Sequence, residues 1–238
     1  MKLVSLQFET SDDFNQNLTK LLTLIKEQKE NTFIVAPELC LNGYAYDRLD
    51  DAVDITNKAL KELITLSIDK TISLTMTTKQ DDNYLNTLFV FHKGEIVHTQ
   101  SKNKLFVLND ERLHFTAGDE NDIKIFQVGD LKVAALICFE LRFVDFWKKL
   151  RGADLIIIPA MWGALRKQNF ETLSRALAVM NQCFVIASDS ANDDMAKSSG
   201  IITPFGDEYR DDSKEVLLKE VDLKEIKKMR RYMQVGIN

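Results

Sequence analysis

Hydrophobic and polar positions along the chain switch between two periods, and each switch marks a predicted element. Residues 2–8 are mostly apolar and read as a strand. Over 12–29, Phe14, Leu18, Leu21, Leu22 and Ile25 recur at three- or four-residue spacing, as in a helix with one buried face. Residues 32–36 predict a buried strand ending at Pro37, and 52–68 a second amphipathic helix carrying Leu60, Leu63, Ile64 and Leu66. A strand follows over 71–77. Two hairpins come next, 84–92 with 95–101 around Lys93-Gly94, and 122–128 with 131–138 around Gly129-Asp130. The spacing then predicts a helix to about Leu150, a strand over 154–158 ending at Pro159, a helix over 168–182 and a strand over 183–188. Strands over 200–203 and 215–221 and a helix over 223–232 close the pattern.

Hairpins set into an α/β alternation argue against a purely parallel sheet. Two mixed sheets with helices outside, an αββα sandwich, accommodate them better. A chain of 238 residues without a composition break is expected to form one domain over 1–238. The phosphate-cradling patterns GxGxxG and GxxxxGK[ST] do not occur. A formal net charge of -5, with no basic block, argues against nucleic acid as the partner. No apolar run is long enough to span a membrane, and the first residues read as a strand rather than a signal peptide. Three dispersed cysteines make no disulfide framework, which points to a reducing compartment, the cytoplasm. With no CxxC pair and no zinc spacing, neither a metal nor another cofactor is expected.

Three segments hold candidate chemistry. Cys138 closes the apolar run 131–138, where open α/β sheets present ligands, and a helix behind it would favour thiolate over thiol. Taken alone, it reads more readily as a small buried core residue, as most free cysteines are. Glu38 directly follows a buried strand, as a site carboxylate or a solvated loop residue. Lys102 and Lys104 straddle Asn103 at the end of a hairpin strand, where lysines are usually solvated. Strand alternation puts both on one face, so parity does not choose between them. Of the histidines, His92 and His98 belong to hairpin strands, and only His114 could join Cys138 in a dyad. No GxSxG elbow is present.

Together these segments resemble the nitrilase superfamily of carbon–nitrogen hydrolases. The matching pieces are Pro37-Glu38-Leu39 with Gly43-Tyr44, Lys102 ahead of Leu105-Phe106, and Ile137-Cys138-Phe139-Glu140-Leu141-Arg142-Phe143. Tyr84-Leu85-Asn86-Thr87, Glu111 before Ala117-Gly118-Asp119, and Gly152 through Ala160 follow in the family's order. So do Arg175-Ala176, Phe184-Val185-Ile186-Ala187, and Ser199 with Pro204 and Gly206. Aligned on Leu105-Phe106, the family's lysine falls on Lys102, and Lys104 stands where relatives often have histidine. Phe139-Glu140 replaces the usual Tyr-Asp, and Ala117 and Val144 stand where relatives have proline. The chain is also short for the family, which bears on the substrate pocket more than on the chemistry.

The resemblance implies a cofactor-free amidase and a homodimer. Cys138 would be the nucleophile, Glu38 the proton carrier, and Lys102 with the Phe139 N–H the oxyanion donors, while Cys40 and Cys183 stand by. Glu111 would shape the pocket. Arg142 offers a fork to a substrate carboxylate or pairs with an acid such as Glu140 or Asp145. Tyr44 and Trp162 line the pocket or pack the core. The expected substrate is a small linear amide, with a carboxylate-bearing ω-amide favoured. An N-carbamoyl amine is the alternative for the same triad, a nitrile fits a longer branch, and a binding protein that lost turnover is the remaining reading.

Overall fold

The computed structural model describes residues 1–237, in two six-stranded sheets packed face to face with helices on their outer faces. The first sheet holds β1 (Lys2–Leu6), β2 (Thr32–Val35), β3 (Thr71–Gln80), β4 (Asn83–His92), β5 (Glu95–Ser101) and β12 (Val216–Glu220), in the order β12-β1-β2-β3-β4-β5. The second holds β6 (Phe126–Val128), β7 (Leu131–Ala135), β8 (Leu155–Pro159), β9 (Phe184–Ser188), β10 (Gly200–Ile202) and β11 (Glu208–Arg210), in the order β11-β10-β9-β8-β7-β6. Each sheet has three parallel strands at its centre, β1-β2-β3 and β7-β8-β9, and antiparallel strands on both sides.

Period-two alternation sorts the core. In the first sheet Leu3, Phe33, Val35, Leu88 and Val90 face the second sheet. Their neighbours Val4, Ile34, Phe89 and Phe91 face outward onto α1 (Phe14–Lys26) and α2 (Leu49–Leu66). Asp13 caps α1, accepting the N–H groups of Asn15 at 2.9 Å and Gln16 at 3.1 Å. The second sheet is covered by α4 (Val144–Lys149), α5 (Lys167–Asn181) and α6 (Lys224–Tyr232), through Phe146, Phe170, Leu177 and Ile226. Two serines stitch the sheets together. Ser5 Oγ donates to the Ala187 carbonyl at 2.8 Å, and Ser188 Oγ to the Leu6 carbonyl at 2.6 Å.

Several boundaries differ from the pattern, each for a local reason. The strand predicted over 131–138 stops at Ala135, and Cys138 has a left-handed φ of 47°. The helix predicted after it is a five-residue 3₁₀ turn, Cys138–Arg142, followed by the short α4. The strand predicted over 122–128 keeps only Phe126–Val128, because Asp119 accepts the Asn121 N–H and closes a 3₁₀ turn. β3 and β4 run on to a tight turn where Asp81 takes a φ of 53°. β11 carries too few apolar residues to announce itself. The one-turn α3 (Glu111–His114) was likewise without a periodic signal. Among the described residues no helix is long and apolar enough to cross a membrane.

Candidate active site

The carboxyl ends of the central strands of both sheets converge on one cleft of about 760 Å³, lined among others by Tyr44, Lys102, Glu111, Cys138, Met161 and Arg166. Glu38 arrives on the segment after β2. Its own N–H donates to the Ala160 carbonyl at 3.1 Å, which ties this segment to the end of β8. Lys102 follows β5 directly, and its N–H still donates to the Asn86 carbonyl at 2.8 Å. Cys138 opens the 3₁₀ turn beyond β7.

Lys102 is the hub. Its Nζ donates to Glu38 Oε1 at 2.8 Å, to Glu111 Oε1 at 2.6 Å and to the Tyr44 hydroxyl at 3.1 Å. Its side chain is 0% exposed, so three N–H bonds and two carboxylates replace the water it has lost. Glu38 also accepts Asn86 Nδ2 at 2.8 Å and the Met161 N–H at 3.2 Å. Glu111 accepts the Tyr44 hydroxyl at 2.5 Å and the Phe106 N–H at 2.6 Å. Every carboxylate oxygen of the pair is thus engaged, which fixes both rotamers.

The charges decide how each group rests. Burial alone would lower the Lys102 pKa, but Glu38, the Cys138 sulfur and Glu111 outweigh it and hold the ammonium protonated. Burial, then Glu38, pushes the Cys138 thiol well above its ordinary value; Lys102 and a bond from the Met161 N–H pull only partly back. The expected thiolate-favouring helix is therefore corrected. A 3₁₀ turn has little dipole to offer, and burial beside the Glu38 carboxylate keeps the proton on the thiol. Burial, Glu38 and Glu111 likewise keep Tyr44 a neutral phenol.

Beside the sulfur the cleft continues between Phe106, Phe139, Met161 and Trp162 to Arg142 and Arg166. Arg142 lies over the Trp162 ring, 4.8 Å from its centroid, and donates to Asn169 Oδ1 at 3.0 Å. Arg166 lies over the Phe106 ring at 5.2 Å. Among the described residues neither guanidinium is ion-paired to an acid, so the pairing of Arg142 with Glu140 or Asp145 is not formed. Burial and Arg166 lower the Arg142 pKa. Two adjacent cations without a counter-ion can receive an anion.

The structure thus brings Glu38, Lys102, Cys138, Glu111 and Tyr44 together, with Phe139, Arg142 and Trp162 on the adjoining wall. The Phe139 ring packs against Phe106 and Phe143. Trp162 is nearly buried, its indole N–H donating to the Arg166 carbonyl at 2.9 Å. Parity between the two lysines breaks because β5 ends at Ser101. Lys104 turns outward to Glu120 at 3.4 Å and lies over Phe143 and Phe146. His114 stacks on Tyr46 with ring centroids 4.0 Å apart, which directs it away from a dyad. Cys40 and Cys183 are fully buried in the core. Among the described residues no group of three His, Cys, Asp or Glu could hold a metal ion.

Sequence reasoning missed Asn86 and Arg166. In the sequence Asn86 stands out only as part of the Tyr84-Leu85-Asn86-Thr87 motif, and its inward direction on β4 is the available signal. Arg166 precedes α5 in a 3₁₀ turn, and nothing local marks it. Gly118 is explained by close approach. Its N–H donates to the Lys102 carbonyl at 2.9 Å, and a Cβ there would sit 2.3 Å from the Ser101 carbonyl oxygen.

Comparison with known proteins gives a consistent result. The family model described as carbon-nitrogen hydrolase matches residues 3–231. The 2-oxoglutaramate amidase of Bacillus subtilis (strain 168) is 29% identical, over 97% of this chain and 94% of its own length. The omega-amidase YafV of Escherichia coli (strain K12) is 28% identical, over 73% of this chain and 70% of its own. In three dimensions, Saccharomyces cerevisiae Nit3, a member of branch 10 of the nitrilase superfamily, superposes with a TM-score of 0.85 at 21% identity. That superposition covers 99% of this chain and 95% of Nit3.

Proposed function

The chain belongs to the carbon–nitrogen hydrolase family and is an enzyme of the amidase type; from that premise we propose that it hydrolyses a small linear amide bearing a carboxylate, through a thioester on Cys138. Glu38 takes the thiol proton as the sulfur attacks the carbonyl carbon. Glu38 lies near enough to the sulfur for its charge to raise the thiol pKa, which supports this role. The negative charge moves to the former carbonyl oxygen, where the Lys102 ammonium and the Phe139 N–H receive it. Phe139 lies in the first turn of its 3₁₀ segment, where an N–H has no partner inside the segment. Lys102 can turn toward the oxyanion by giving up its contact to Tyr44, the longest of its three. Glu38 then returns the proton to the leaving nitrogen, ammonia departs, and the C–S bond remains. Water delivers a proton to Glu38 and its oxygen to the thioester carbon. The acid product leaves, and the proton returns to sulfur. Glu111 keeps Lys102 aimed by balancing its charge.

The observation that carries the substrate class is the Arg142–Arg166 pair beside the nucleophile. A guanidinium fork to a carboxylate is worth roughly 1.5–3 kcal/mol, enough for about tenfold to a hundredfold discrimination. The names of the two relatives, an omega-amidase and a 2-oxoglutaramate amidase, point the same way. Succinamate should be hydrolysed about tenfold to a hundredfold faster than its methyl ester, and Arg142→Ala or Arg166→Ala should erase the difference. Equal rates in the wild type refute the carboxylate reading, and a carbamoyl amine turned over fastest puts the N-carbamoyl-amine hydrolase in its place. The same reading takes residues 1–238 as one catalytic domain, working as a homodimer in the cytoplasm.

A further inference from the structure

Glu140 is a buried acid that the reaction does not use. It is 0% exposed and lies two residues beyond Cys138. Its two oxygens serve two different segments. Oε1 accepts the Asn103 N–H at 2.7 Å, next to Lys102, and Oε2 accepts the Ile137 N–H at 2.8 Å, next to Cys138. Its own N–H donates to the Ile137 carbonyl at 3.0 Å, so the turn holding the nucleophile is closed at both ends.

We propose that Glu140 is a positioning residue: its carboxylate joins the backbone beside Lys102 to the backbone beside Cys138 and so sets the distance between ammonium and sulfur. Three observations support this. Cys138 keeps a left-handed φ of 47°, a conformation a non-glycine residue holds only where its surroundings impose it. The segments that Glu140 joins leave different sheets, and among the described residues no ion pair links Lys102 or Lys104 to the 3₁₀ turn that opens at Cys138. Glu140 does not reach the cleft, so it acts through the groups it holds. An acid here is costly to bury, and satisfying two separate backbone donors with one rigid group is what a carboxylate offers and a neutral amide does not.

Glu140→Gln tests this, because it keeps the size but turns an NH₂ toward one of the two N–H groups. Two readouts are taken, turnover of succinamate and the rate at which iodoacetamide labels Cys138. The expected result is a kcat lowered about a hundredfold with KM changed less than about threefold, as for a ~1 Å misplacement of reacting groups. Labelling should slow about tenfold as the ammonium moves away from the sulfur. Glu140→Asp, which keeps the charge but reaches only one donor, should fall between the two. A folded Glu140→Gln within threefold of wild type in both readouts overturns the proposal, and so does a loss confined to KM. If Glu140→Gln does not fold, a folded Glu140→Asp decides: wild-type kcat and labelling overturn the proposal, and a tenfold loss in either supports it. If neither folds, Glu140 is a folding residue and the proposal is wrong. The turnover readout rests on the amidase reading; the labelling readout does not, so a wild type inactive on succinamate leaves the test intact.

Discussion

The two sheets share one plan and differ in what they bring to the cleft. Read from one edge, each has a single antiparallel strand, three parallel strands in chain order and two further antiparallel strands: β12, β1-β2-β3, β4-β5 in one, and β6, β7-β8-β9, β10-β11 in the other. The middle parallel strand runs out through a proline in both. After β2 comes Pro37-Glu38, while β8 ends at Pro159 with Ala160 behind it. The first sheet therefore presents charge: Glu38, and Lys102 from its last hairpin. The second presents a neutral thiol and the backbone N–H of Met161. A repeated plan places two strand bundles end to end, but division of labour comes from single residues at equivalent strand ends. Charge is compensated within the first sheet's contribution, where Lys102 bonds Glu38 and Glu111. In the second, Glu140 and Asp189 are buried acids with no ion-pair partner among the described residues.

The largest effect should come from removing Cys138, the proposed nucleophile of the second sheet. Cys138→Ala should lower turnover on the order of 10⁶-fold, as removal of a covalent nucleophile does, and abolish labelling by a limiting electrophile. Cys40 and Cys183 should stay unlabelled, since both are fully buried and burial pushes the Cys40 thiol up to about 12. Activity lost in step with labelling of either one would break the comparison. Glu38→Gln should cost about 10²–10⁴-fold in turnover, the span for a lost general base. Because Glu38 raises the Cys138 pKa, the same variant should ionise its thiol at lower pH, read by ultraviolet thiolate absorbance. An upward shift would mean that Glu38 does not act on the sulfur as described.

Lys102→Met separates the sheets by stability. It leaves Glu38 and Glu111 buried without their cation, which should cost ~3–5 kcal/mol and lower the melting temperature by roughly 10 °C. Arg166→Ala, on the partly exposed side, should shift it by about 2 °C or less, in line with an ordinary surface substitution. Equal shifts would show that the first sheet's charges are not the structural ones.

The smallest effect is one of pH. Burial raises Glu140 and Asp189 each to about 7. Raised carboxyls bind protons more tightly in the folded state than in the unfolded one. Their contribution to stability is complete below the ordinary carboxylate range and is lost as pH rises through about 7. The melting temperature should therefore fall between about pH 5 and pH 8, and Glu140→Gln should flatten that slope. A melting temperature that rises across this window would place the pH-sensitive acids elsewhere.

Much of this was legible before any coordinates. Period-two and period-3.6 patterns located most strands and helices, because each buries one face and leaves the other wet. The prolines at 37 and 159 marked the ends of β2 and β8, since proline cannot donate to the ladder. What stayed hidden depended on backbone geometry or on distant partners. The left-handed φ of Cys138 has no side-chain signature, so the strand before it was read three residues too long and the turn after it as helix. Lys102 and Lys104 were separable by a motif alignment but not by alternation, because the alternation ceases at Ser101. Arg166 reaches the cleft from the 3₁₀ turn ahead of α5, a placement that depends on the fold and not on any local pattern. Glu140 looked like a conservative replacement; its two backbone partners lie on another segment and on the residue before Cys138.

The protonated resting state of Cys138 bears on how the protein endures oxidants. Peroxides and stray electrophiles attack thiolates, and sensor cysteines that react readily with them are acidic and exposed. Here burial and the Glu38 carboxylate keep the proton on sulfur. An adventitious peroxide meets a protonated thiol, a poor nucleophile, whereas in the proposed reaction a bound amide meets one with a carboxylate base beside it. The side chain most exposed to damage by its chemistry is thus the one shielded by its surroundings, which should slow the loss of its sulfur to sulfinic acid.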